Sequence, residues 1–136
     1  SGIKFILLGE SFPQNRYVYD LDTAYNSGGL RFNLMKEFEI ADEKYLIEFL
    51  ENKQTVIADC AYCPLCYLEK PSQKRHAATH CLKSYKLDFL RSNEAKIITF
   101  FPRNSGFLKR ELPEIQNRVI KDCKFSNLKG LKDLIK

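Results

Sequence analysis

The feature that most constrains this chain is its first segment, Ile3-Lys4-Phe5-Ile6-Leu7-Leu8, apolar apart from Lys4 and followed at once by Gly9-Glu10. A strand with one face in water alternates apolar and polar residues, whereas a run with no such alternation suits a strand covered on both faces. Such strands belong to parallel sheets wrapped by helices. Two further segments read the same way, Thr55-Val56-Ile57-Ala58-Asp59-Cys60 and Ala95–Phe101, and a weaker one lies around Val119–Cys123. Between them the apolar spacing turns helical. Leu30, Leu34, Met35 and Phe38 mark one helix, with Asn26-Ser27 as caps. Tyr45, Leu46, Phe49 and Leu50 mark a second from about Ala41, and Pro71-Ser72 opens the longest, with Ala78, Cys81, Leu82, Tyr85 and Phe89 on its apolar face. A short helix from Ser105 to Leu112 is expected to stop at Pro113, and a last one lies near Leu128–Ile135. Strand, helices, strand, helix, strand, helix predicts an α/β fold. The expected architecture is a three-layer α/β/α sandwich around a small, mostly parallel four-stranded sheet.

The 136 residues fit one domain spanning 1–136, with no repeat or linker, and a chain of that length buries a core without disulfide or metal. The apolar runs are too short to cross a bilayer, so no membrane partner is expected. Five cysteines, an odd number without a secretory leader pattern, predict a reducing, cytoplasmic setting. The net charge of +5 favours anionic partners, DNA or a nucleotide above all.

In open α/β sheets, ligands bind beyond the carboxyl ends of the strands. Three such ends are visible: Gly9–Tyr19, Asp59–Cys66 and Pro102–Ser105. Glu10 stands at the first and Asp59 at the second. A carboxylate there can orient a water or accept a hydrogen bond from a base; it can equally cap a helix or pair with a basic side chain.

The run Phe5-Ile6-Leu7-Leu8-Gly9-Glu10-Ser11-Phe12-Pro13, followed by Arg16-Tyr17-Val18-Tyr19, resembles the first motif of the uracil-DNA glycosylase superfamily, in a divergent bacterial branch. Asn26-Ser27-Gly28-Gly29-Leu30 resembles the helix opening that follows it there. Asp59, Cys63-Pro64, Arg75 and Cys81 echo later positions in the same order. The resemblance implies a base pocket at the top of the sheet and a possible DNA glycosylase activity, a hydrolysis of N-glycosidic bonds serving DNA repair. It implies Glu10 as the water-positioning residue and Asp59 as a second catalytic candidate. Tyr17 or Tyr19 becomes the stacking ring, Arg16 a phosphate contact, and Gly9, Ser11, Pro13 and Asn104 substrate-binding positions. Two departures stand out. Phe12 occupies a position where family members carry Pro, and no histidine follows His80, so the late His motif that contacts the base is missing. The second reading is therefore a nucleic-acid or nucleotide-binding module on the same scaffold, without catalysis.

Cys60, Cys63 and Cys66 recur at spacings of three, a pattern that can hold zinc or an iron–sulfur cluster, with His76, His80 or Cys81 completing a set. The second paired knuckle of a structural zinc site is missing, and buried cysteine is also a common small apolar residue, so no cofactor is expected. A zinc-binding interaction domain organised by this cluster is the third reading.

Overall fold

A computed structural model describes residues 2–11, 30–61, 70–81, 87–92, 94–100, 110, 112–124 and 127–136. The strands are β1 (Phe5–Ser11), β2 (Thr55–Ala61), β3 (Lys96–Thr99) and β4 (Val119–Asp122). The helices are α1 (Leu30–Phe38), α2 (Glu43–Asn52), α3 (Pro71–Cys81), α4 (Leu87–Ser92), α5 (Pro113–Gln116) and α6 (Leu131–Leu134). All four strands pair in parallel, in the order β2-β1-β3-β4.

The central position of β1 explains its composition. Ile6 and Leu8 lie in one core cluster with Ala58, Leu90, Ile97, Leu112 and Ile115, against which Ala77, Cys81 and Phe89 pack. Phe5 and Leu7 lie in the other, with Leu34, Met35, Phe38, Leu46, Leu50, Ile98 and Leu131. Helices α3, α4 and α5 thus cover one face, and α1, α2 and α6 the other. A strand between two such layers has no wet side, and all four residues Phe5–Leu8 are buried. The expected α/β sandwich is the observed architecture, with the described sheet parallel throughout.

Local chemistry sets the helix ends. Asp42 caps α2, its Oδ1 accepting from the Lys44 N–H at 3.1 Å. Past its end, Gln54 takes a left-handed φ of 52° and turns the chain into β2. Helix α6 follows Gly130, at φ 91°, and is tied to α1 by two carboxylates. Glu37 Oε2 accepts from the Lys132 N–H at 2.9 Å, and Glu39 Oε2 pairs with Lys132 Nζ at 2.8 Å.

Three expectations need correction or narrowing. Tyr45 does not belong to the buried stripe of α2: it is 52% exposed, while Leu46 and Leu50 carry the contact. Its ring takes the Lys44 ammonium at 5.3 Å instead, the amphipathic use of a tyrosine at a surface. Pro113 also opens a helix of its own, which the sequence reading did not foresee. Leu112 is non-helical with φ −143°, and Pro113 takes the first helical position, where its missing N–H is not needed. Of the residues expected to form a helix before it, Arg110 is helical, and 105–109 and 111 lie outside the described residues. The long helix from Pro71 is described as α3 and α4, both on the same core face; Leu82 and Tyr85 lie outside the described residues.

Arg118 knits the amino edge of the sheet. Its Nε donates to Ala95 O at 3.0 Å and its Nη1 to Leu90 O, joining β4, β3 and the end of α4. Burial lowers the pKa of this guanidinium, and the nearby Glu94 carboxylate opposes the shift. Nη2 is buried with no hydrogen-bond partner among the described residues. Arg118→Met removes two charge-assisted bonds but also removes that unsatisfied donor. The first effect outweighs the second, so a net loss of about 1–2 kcal/mol is expected in urea unfolding.

Among the described residues, no helix is long and apolar enough to cross a membrane.

Candidate functional site

The strand order places the site. From β1 the chain goes first to β2 on one side and then, past β1, to β3 on the other. In a doubly wound sheet the helices after two such strands leave toward opposite faces, and a crevice opens between them at the carboxyl ends. Here that switch point lies between β1 and β3. The segments that follow β1, β2 and β3 in sequence, 12–29, 62–69 and 101–109, lie outside the described residues.

The backbone places Gly9, Glu10 and Ser11 at the last three positions of β1. Across one side, Gly9 is in register with Asp59 and Ser11 with Ala61. Adjacent strands run about 4.8 Å apart, so Glu10 and Asp59 stand on neighbouring strands at the same edge. Across the other side, Leu8 is in register with Thr99, and the Phe100 N–H donates to Leu8 O at 3.0 Å. The register therefore sets Gly9, Glu10, Ser11 and Asp59 at one carboxyl edge, with Gly9 and Asp59 at paired positions and Glu10 at the alternate position of the pleat. Pro13, Arg16, Tyr17, Tyr19 and Asn104 lie outside the described residues, as do Cys63 and Cys66.

Two residues at this edge escaped the sequence reading. Thr99, the last residue of β3, is fully buried, and its hydroxyl donates to Asp122 Oδ1 at 2.6 Å. The Cys123 N–H donates to Thr99 O at 2.8 Å. With the Phe100–Leu8 bond, these contacts hold the ends of β1, β3 and β4 in fixed relation. The signal was present: Asp122 ends β4 as Asp59 stands near the end of β2. The partner could not be found, because the pairing spans 23 positions and needs the strand order to be known. Thr99→Val keeps the shape and removes the donor. A loss of about 1–2 kcal/mol is expected, and Asp122→Asn, whose Oδ1 still accepts, should cost less. Thermal unfolding of the two variants checks the order.

The remaining candidates divide by burial. Burial raises the pKa of the Cys123 thiol, chiefly through desolvation, which Lys121 opposes, so a protonated, unreactive thiol is expected at neutral pH. Cys81 is half-buried against the core, as a small apolar side chain would be. His76 and His80 are exposed on α3. Among the described residues, no three His, Cys, Asp or Glu side chains gather as a metal site. Asn127 Oδ1 accepts from the Lys129 N–H at 3.3 Å in a turn.

Compared with family models, curated proteins and solved structures, the chain matches none.

Proposed function

We propose that this chain is a uracil-DNA glycosylase-like domain that excises a deaminated or damaged base from DNA at the β1/β3 edge. One observation carries the reading. Glu10, the residue the motif resemblance singles out, occupies the carboxyl end of the central strand, beside the switch point where ligands of such sheets bind.

In the proposed reaction the nucleotide is extruded from the stack and its base packs on Tyr17 or Tyr19. The bond between C1′ and the base nitrogen breaks, and its electron pair leaves with the base. A water held by the Glu10 carboxylate attacks C1′, and its proton passes to that carboxylate. Asp59, paired with Gly9 at the end of the neighbouring strand, is the second catalytic candidate in this reading. Arg16 and the surplus positive charge engage phosphates, a contribution that weakens steeply with salt. Gly9, Ser11, Pro13 and Asn104 are the further base-pocket positions.

The absence of any histidine after His80 favours a second reading, a binding module on the same scaffold that leaves the glycosidic bond intact. A cleavage assay separates the two. Single- and double-stranded oligonucleotides carrying uracil, hypoxanthine or xanthine are incubated with the protein and then heated in alkali to cut abasic sites. Strand breaks are the expected result. Binding without breaks, even at high protein concentration, selects the second reading.

A further inference from the structure

Helix α3 carries a feature that the carboxyl-edge site does not use. His76 and His80 stand four residues apart on it, and both are exposed. Residues at this spacing share one helix face, with β-carbons about 5–6 Å apart. Two imidazoles so placed can reach a single ion, each nitrogen about 2.0–2.1 Å from it, as in helical metal sites that use the same pair spacing.

The setting favours a fixed chelate. Ala77 and Cys81, the next residue after each histidine, pack against the core cluster beneath the sheet. The histidine stripe therefore runs along the border of a docked stripe, and the backbone that carries it is held by tertiary contacts. Helix α3 contains no acidic residue, so the donor set on its own surface is nitrogen, not carboxylate. Neutral imidazole suits Zn²⁺, Cu²⁺ and Ni²⁺ over Mg²⁺ or Ca²⁺.

We propose that His76 and His80 form a surface site for a divalent transition metal, zinc being the probe of choice. Two protein ligands leave the remaining positions of a tetrahedral ion to water or to an oxygen of an anionic ligand. The proposal does not rest on the glycosylase reading, and it assigns the ion to the two histidines without the thiols of the cysteine cluster.

The test is a zinc titration of the full chain, followed by the ring carbon resonances of the two histidines and by a competing chelator for affinity. Both rings should shift together and saturate with one equivalent. His76→Gln and His80→Gln should each weaken that binding by at least about tenfold, since even loss of an outer-shell partner commonly costs 10–100-fold. Being exposed, both replacements should leave the metal-free melting temperature unchanged. Zinc bound by the double variant as tightly as by the parent, or ring resonances indifferent to zinc, overturns the proposal and points to the thiols.

Discussion

Leu7→Ala is expected to destabilise the fold by about 3 kcal/mol, within the 2–5 kcal/mol range of buried Leu→Ala changes. Leu7 is fully buried on β1, between β2 and β3, and belongs to the larger core cluster with Leu34, Leu46 and Ile98. Strands on both sides and a helical layer above leave the site little room to collapse around the lost methyls, which is the condition for a high cost. Since domains are stable by only about 5–15 kcal/mol, such a loss is a large share of the whole. Tyr45→Ala, on the exposed side of α2, should change stability by no more than about 0.5 kcal/mol. Urea unfolding of the two variants measures the contrast, and equal effects would remove the layered account of the core.

Glu10→Ala should act in the opposite sense. If Glu10 holds the attacking water, its removal is expected to lower base excision by about 10²–10⁴-fold, the usual worth of a positioned acid–base group. The melting temperature should hardly move, because the β1 backbone pairing is made by main-chain groups the substitution leaves in place. Single-turnover excision on a uracil-containing oligonucleotide reads the first effect and thermal unfolding the second. A large stability loss would instead make Glu10 a structural residue, and retained excision would move the chemistry elsewhere, with Asp59→Ala the next variant to assay.

Much of the architecture was legible because burial on both faces leaves a mark on composition. The run ending at Leu8 announced a central parallel strand, and the helical spacing of Leu34, Met35 and Phe38 announced a layer above it. What stayed hidden depends on information that is not local. The order β2-β1-β3-β4 cannot be read from a linear pattern, and it is this order that pairs Thr99 with Asp122 and sets Gly9 beside Asp59. Tyr45 misled because a ring with a polar tip satisfies an apolar periodicity while remaining in water. Pro113 was read only as a stop, yet proline can both end one helix and start another, and here it takes the first position of α5. Of the candidate site, Glu10 and Asp59 follow from strand placement. Gly9 and Ser11, and the loop residues Pro13, Arg16, Tyr17, Tyr19 and Asn104, rest on motif resemblance.

The central claim is that ligand engages the carboxyl edge at β1 and β3. Backbone amide shifts on titration with a single-stranded oligonucleotide carrying uracil test it most directly. The account predicts the largest changes at Gly9, Glu10, Ser11, Asp59, Thr99 and Phe100, with Lys4, Ala95 and Arg118 at the amino edge unmoved. Changes centred on the amino edge, or spread over the lysine-bearing surface with none at Gly9–Ser11, would contradict it.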